Sequence, residues 1–256
     1  MLLAVDAGNT NILVGVYNGD KLETTFRITT KISRTADEFG LDICNLIEMA
    51  GLDWHDIDAA VIASVVPDIM HSLTQAIKGY MKVDSLIIDS KTETGITVKI
   101  PNPAEMGPDR IADAAAAYAI YGGPVLIVDF GTATTYGIVT EKGDLTGVAI
   151  SPGVRIVSEA LTTNAAKLPR VELSFPKSVI GRNTEQSMQA GILYGYVGEI
   201  EYIVRKIKSE IGDAKVIATG GFAQIFAEKT DVIDKVVPTL TLMGLNRIYE
   251  KNCKGE

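Results

Sequence analysis

The chain opens on an unbroken apolar run, Leu2, Leu3, Ala4 and Val5, that stops at Asp6. Small hydroxyl and amide residues follow, then a second apolar run and a Gly19-Asp20 turn, a pattern that predicts a β-hairpin with an acid at its bend. The pattern returns at 125–145, where VLIVDFGTATTYGIVTEKGDL can be laid on LLAVDAGNTNILVGVYNGDKL of 2–22, so that Asp6 meets Asp129 and Gly8 meets Gly131. A second pair, VIASVV at 61–66 and VIATGG at 216–221, follows in the same order. Helical periodicity corresponds too. Thr35 and Glu38 have capping-box spacing ahead of Phe39, Ile43, Leu46, Ile47 and Ala50, and Met188, Ile192, Tyr196, Ile200, Val204, Ile207 and Ile211 mark a longer helix. Each half reads strand, turn, strand, further strand, helix, strand, helix. The offset between halves grows from 123 to 155 residues, which places an insertion of about thirty residues within 151–184. The expected division is 1–120 and 121–256.

Composition narrows the function. Of 256 residues 46% are hydrophobic, and 32 Asp plus Glu against 24 Lys plus Arg leave a formal charge of −8, which describes a folded, acidic chain. Without a run of Lys or Arg beyond a pair, it lacks the phosphate-neutralising surface that nucleic acids or anionic membranes demand. The longest uncharged stretch, between Asp113 and Asp129, is interrupted by Gly122, Gly123 and Pro124 and is too short to span a bilayer. The N-terminus has no basic region and meets Asp6 early, so no export signal is expected. Two separated cysteines, Cys44 and Cys253, suggest neither a disulfide framework nor a metal site, and the expected location is the reducing cytoplasm. His55 and His71 stand alone and are expected to serve packing or surface roles.

Three segments carry candidate chemistry. In Asp6-Ala7-Gly8-Asn9-Thr10 and again in 129–134, an acid precedes a turn whose backbone N–H groups and hydroxyls can approach a phosphate, because the glycine adds no side chain. One such turn is ordinary hairpin chemistry, but two facing copies would grip a polyphosphate with its cation. Thr219-Gly220-Gly221-Phe222-Ala223 leaves a strand for a helix and suits the approach of a base or ribose, or simply a turn. P-loop and Rossmann signatures are absent from the sequence. The third segment, 101–110, sets Asp109 and Arg110 behind a stiff Gly107-Pro108 turn at the mouth of an Ala-rich helix over 111–121. Asp109 could be a dipole-stabilising cap, or a carboxylate that accepts a hydroxyl proton while Arg110 binds an anionic group. Gly191, Gly195 and Gly198 share a helix face, for close packing by a helix of this chain or of a second subunit.

Taken together these motifs resemble the type III pantothenate kinase family: Asp6-x-Gly-Asn-Thr, Gly-Pro-Asp109-Arg110, Asp129-Phe-Gly-Thr-Ala, Ser151-Pro-Gly, Gly181-Arg-Asn-Thr184, Thr219-Gly-Gly-Phe-Ala and Leu240-Thr-Leu-Met-Gly-Leu. The resemblance implies an α/β, duplicated actin-like (ribonuclease H-like) fold, with mixed sheets flanked by helices in each half and a cleft between the halves. It implies ATP-dependent phosphorylation of pantothenate to 4′-phosphopantothenate, the first step of coenzyme A synthesis. Asp6, Ala7, Gly8, Asn9, Thr10, Asn11, Ile12 and Leu13 would form an ATP phosphate loop, with Asp6 oriented toward magnesium, directly or through water. Asn102, Gly107, Pro108, Asp109 and Arg110 would hold pantothenate, Asp109 being the proton acceptor. Thr184 would reach pantothenate across a homodimer interface. Asp129 would bind a monovalent cation, potassium or ammonium; Thr132 would touch ATP, and Gly220 and Gly221 would lie near the adenosine. Met243, where many relatives have an acid, departs from the pattern outside these motifs.

Two other readings compete: a non-enzymatic nucleotide switch of the same fold, and a kinase for another acceptor such as a sugar. Asp109-Arg110 discriminates against the switch, which has no use for an acceptor-binding acid. The separate acceptor motifs of sugar kinases are not found.

Overall fold

The computed structural model describes residues 1–89 and 91–253. They form two compact units, one of Met1–Ile120, Gly143–Leu145 and Leu240–Glu256, the other of Tyr121–Lys142 and Thr146–Thr239.

In the first unit β1 (Leu2–Ala7), β2 (Asn11–Asn18) and β3 (Lys21–Thr29) form an antiparallel meander, followed by α1 (Ala36–Met49), β4 (Ala59–Ser64), α2 (Pro67–Met81) and β5 (Ser85–Ile87). The sheet order is β3-β2-β1-β4-β5, with β4 parallel to β1 and to β5. The capping box at α1 forms: Glu38 N–H donates to Thr35 Oγ1 at 3.2 Å, and Thr35 N–H donates to Glu38 Oε2 at 2.8 Å. Alternation along β1 divides the core: Leu3, Val5 and Ala7 face α1 and α2, while Leu2 and Ala4 face the opposite layer. After β6 (Thr97–Val98), that layer begins with α3 (Pro108–Tyr121).

The second unit repeats the topology. β7 (Val125–Phe130), β8 (Ala133–Val139) and β9 (Asp144–Pro152) lead through α4 (Val154–Asn164) and residues 165–183 to α5 (Thr184–Ile211), β10 (Lys215–Gly220), α6 (Ala223–Ala227) and β11 (Lys235–Val236). Its strand order, β11-β10-β7-β8-β9 with β6 added at the edge, mirrors that of the first unit. α4 and 165–183 fill the interval expected to hold the insertion, where the first unit passes from β3 to α1 through 30–35 alone. The last described element is α7 (Leu240–Cys253), whose final residue is Cys253.

Two details depart from the sequence expectation. Asp6 lies opposite Ala63 while Asp129 lies opposite Thr219, a step of 156 and not the 155 of the sequence overlay. A slip of one reverses side-chain facing, so burial alternation outranks the local letter match. The division also differs from 1–120 and 121–256 at the C-terminus. Leu242, Leu245 and Ile248 of α7 are buried against Leu2, Ala4, Ala59 and Val61, which groups this helix with the first unit. Gly244 permits it, since a Cβ there would overlap the carbonyl of Ala112 on α3.

Candidate active site

The bend after β1 is shaped by its backbone. Gly8 N–H donates to the Asn11 carbonyl at 3.1 Å, and Thr30 clamps the loop, its hydroxyl donating to Gly8 O at 2.6 Å and its N–H to Thr10 O at 3.0 Å. Gly8 and Asp6 are half-buried; Asn9, Thr10 and Asn11 are exposed. Ala7 and Ile12 are fully buried, so of these two expected phosphate-loop residues only the backbone can meet a ligand.

The equivalent bend in the second unit is one residue tighter: Phe130 opposes Thr134, whereas Ala7 opposes Ile12. Gly131 and Thr132 at its tip are exposed. Asp129's carboxylate lies against the α-carbons of two glycines. A Cβ at Gly131 would stand 3.3 Å from Oδ2, and one at Gly220 would overlap Oδ1. Gly220 has φ +89°, which an L side chain resists, and it belongs to the parallel partner strand. Gly221, by contrast, has open space around it. The Thr219-Gly220-Gly221 segment and the Asp129 bend are thus one cluster.

Asp109 and Arg110 lie inside the first turn of α3, which starts three residues earlier than the apolar pattern suggests because Pro108 supplies a preset first helical residue. Asp109 Oδ1 accepts the Arg110 N–H at 2.8 Å, and Oδ2 stands 3.0 Å from Arg110 Nη2. The other face of the guanidinium reaches Asp113 Oδ2 at 3.5 Å, and Thr241 donates to Asp113 Oδ1 at 2.7 Å. Asp113's side chain is only 3% exposed, so this carboxylate is a fixed anchor for Arg110, while Asp109 and Arg110 keep partial access to solvent. Asp113 is not among the site residues expected from the sequence, although an acid inside an otherwise apolar Ala-rich helix face is a usable signal. Asn102 is exposed and gives its amide to Glu105 at 2.9 Å, not to the Asp109–Arg110 pair.

Thr184 begins α5 on an open groove of about 350 Å³ shared with Val157, Leu161, Leu168, Met188 and Gly191. Gly191, Gly195 and Gly198 are exposed, and apart from the adjacent backbone of α5 itself no atom of the described residues lies within 4 Å of a Cβ built on any of them, so no other helix among the described residues packs closely against these three positions. His55 pairs with Asp53 at 2.7 Å and stacks on Trp54, consistent with a surface role.

Among the described residues no cluster of three or more His, Cys, Asp or Glu could hold a metal alone, so a cation here would need oxygens from a nucleotide and water. Isolated acids at glycine turns suit that arrangement. Two like-folded units carrying Asp-Gly turns, with an acid and a guanidinium at a helix start, define a phosphotransferase of the actin-like class. Solved structures agree on the fold. A conserved protein assigned to the Baf family of transcriptional activators, from Campylobacter jejuni, gives a TM-score of 0.62 at 19% identity over 98% of this chain and 99% of that one. The activator of the 2-hydroxyisocaproyl-CoA dehydratase from Clostridium difficile, with bound ADPNP, gives 0.53 at 14% identity over 100% and 98%. The chain belongs to the type III pantothenate kinase family, whose model matches residues 2–206. It is 48% identical over 258 residues to a type III pantothenate kinase from Agathobacter rectalis, covering 100% of this chain and 99% of that one. Its reaction is the ATP-dependent phosphorylation of pantothenate in coenzyme A biosynthesis, with a divalent metal accompanying ATP. The sugar-kinase and non-enzymatic readings are set aside. No helix among the described residues is long and apolar enough to cross a membrane.

Proposed function

We propose that Asp109 is the proton acceptor and that Arg110, held by Asp113, binds the pantothenate carboxylate, with Gly107 and Pro108 shaping the pocket and Asn102 at its margin. The hydroxyl oxygen of pantothenate forms a bond to the γ-phosphorus as the bond from that phosphorus to the bridging oxygen breaks. ADP leaves with the electron pair, and the hydroxyl proton passes to the Asp109 carboxylate. The observation that carries this reading is the Asp109–Arg110–Asp113–Thr241 chain of contacts, which fixes a partly accessible acid beside a partly accessible guanidinium at a helix start.

The loop of Asp6, Ala7, Gly8, Asn9, Thr10, Asn11, Ile12 and Leu13 receives ATP phosphates, with Asp6 directed at magnesium through water. Thr132 contacts ATP, and Gly220 and Gly221 face the adenosine. Asp129, whose carboxylate lies beside the α-carbons of Gly131 and Gly220, suits a potassium or ammonium ion. Such an ion offsets the negative charge that gathers during phosphoryl transfer. The active form is a cytoplasmic homodimer joined through the exposed glycine face of α5, bringing Thr184 to the partner's pantothenate.

The test is ADP release over a panel of acceptors with Asp109→Asn. Pantothenate should be preferred, and the variant should fold, bind ATP and lose about 10² to 10⁴ in rate. Near-native turnover would remove Asp109 from the mechanism.

A further inference from the structure

Tyr196 lies within α5, 3% exposed, its ring 4.9 Å from that of Phe226. Packing alone would be served equally well by phenylalanine. The hydroxyl, however, makes two specific contacts, one with Thr134 Oγ1 and one donated to the Pro152 carbonyl at 3.2 Å. A carbonyl only accepts, so the single Tyr196 proton goes to Pro152 and the Thr134 hydroxyl donates to Tyr196.

Both partners adjoin the tip of the Asp129 bend, Thr134 from within the hairpin and Pro152 from the end of β9. Thr134 is 1% exposed and opposes Phe130 in the hairpin, next to the Gly131-Thr132 tip. Pro152 precedes Gly153, whose N–H donates to Thr132 O at 3.1 Å and whose α-carbon sits so close to the Gly131 and Thr132 carbonyls that no Cβ fits. One oxygen on α5 therefore ties the strand that leaves the bend to the loop that props it from outside. Tyr136, on the same strand as Thr134 and fully buried, offers a contrast: its hydroxyl has neither the Thr134 nor the Pro152 contact that Tyr196 makes.

We infer that Tyr196 is a positioning residue whose hydroxyl sets the shape of the Asp129–Thr134 bend, and through it the binding of the monovalent cation and of ATP. The functional part rests on the reading of Asp129 and Thr132 given above.

The experiment compares the full-length protein with Tyr196→Phe, Thr134→Val, their double variant and Tyr136→Phe. Amide hydrogen exchange at 131–134 is measured beside the potassium activation constant and the KM values for ATP and pantothenate. Tyr196→Phe should speed exchange at the bend and raise the potassium constant about tenfold, the scale of one buried hydrogen bond. Saturating potassium should restore kcat, and KM for pantothenate should stay within about twofold. Thr134→Val should reproduce this with no added effect in the double variant, and Tyr136→Phe should leave both readouts native. Unchanged exchange in Tyr196→Phe, or equal acceleration in Tyr136→Phe, overturns the proposal, as does faster exchange with native potassium and ATP constants. Asp129→Asn separates the two layers. If it keeps the native potassium response while Tyr196→Phe accelerates exchange and raises KM for ATP, the cation role of Asp129 falls and the positioning role of Tyr196 stands.

Discussion

Gly220 holds its α-carbon against the Asp129 carboxylate at φ +89°, so closely that a methyl group there would overlap Asp129 Oδ1 and stand 2.6 Å from the Phe130 carbonyl oxygen. Two motifs 91 positions apart in the sequence thereby become one surface, because β10 runs parallel to β7 with Thr219 opposite Asp129. The neighbouring Gly221 has neither constraint. Gly220→Ala should therefore lower stability by about 1–3 kcal/mol from backbone strain and raise KM for ATP. Gly221→Ala should fold like the native chain. Thermal melts and ATP titrations of the two variants check the pair, and equal tolerance at both positions would contradict the close approach.

Asp113 supports Arg110 from a buried position, so its charge acts on the guanidinium with almost no access to solvent. Asp113→Asn preserves shape but removes a charged hydrogen-bond acceptor, a contact worth about 1.5–3 kcal/mol. The expected result is a raised KM for pantothenate with KM for ATP near native. Steady-state kinetics in both substrates decide it; parallel changes in the two constants would make Asp113 a general stabiliser.

How far the sequence alone reached can be judged at particular residues. The Thr35–Glu38 capping box and the Asp6/Asp129 overlay are local patterns, and both appear in the structure as read. The step to 156 at Ala63 and Thr219 was hidden because the VIA letters match only at 155, and the strand pairing that shifts them by one is not local to either segment. The placement of α7 on β1 and β4 was equally hidden, since nothing local to Leu242 or Gly244 specifies which sheet it covers. Of the site, the acids and glycines were visible as motifs. The supports, Asp113 under Arg110 and Tyr196 under Thr134, depend on contacts across sequence separations of 128 for Asp113 with Thr241 and 62 for Thr134 with Tyr196.

Alkaline stability should report on the buried phenols. Burial pushes Tyr17 up to about 12 and raises Tyr136 and Tyr196 above the ordinary value of 10.0. In the unfolded chain these groups ionise near 10, while in the native chain they keep their protons. Above that pH the unfolded state binds fewer protons, so stability falls as pH rises, and below it these groups contribute no slope. Tyr136→Phe should accordingly gain stability relative to the native chain between about pH 10 and 12 more than it does at pH 8. Denaturant midpoints across that range provide the measurement, and a pH-independent difference would contradict burial as the cause.

The glycine face of α5 gives the last prediction. Gly191, Gly195 and Gly198 are followed on the same face by Tyr202, 71% exposed, and nothing within the described chain covers them. Glycine inside a helix costs about 1 kcal/mol relative to better helix formers, so three of them on an uncovered face are unfavourable unless another backbone approaches closely. A second copy of this chain meets that need, and a symmetric pair would bring Gly191 and the Thr184 groove of about 350 Å³ into the contact. Gly195→Leu should leave the isolated subunit at least as stable as before, because the new side chain enters open space and helix propensity improves. It should weaken association, and KM for pantothenate should rise more than KM for ATP because Thr184 is displaced. Light scattering at assay concentration, with kinetics in both substrates, tests each step. A native chain that is monomeric and fully active would reject the shared site, and a Gly195→Leu dimer with native constants would move the interface off this face.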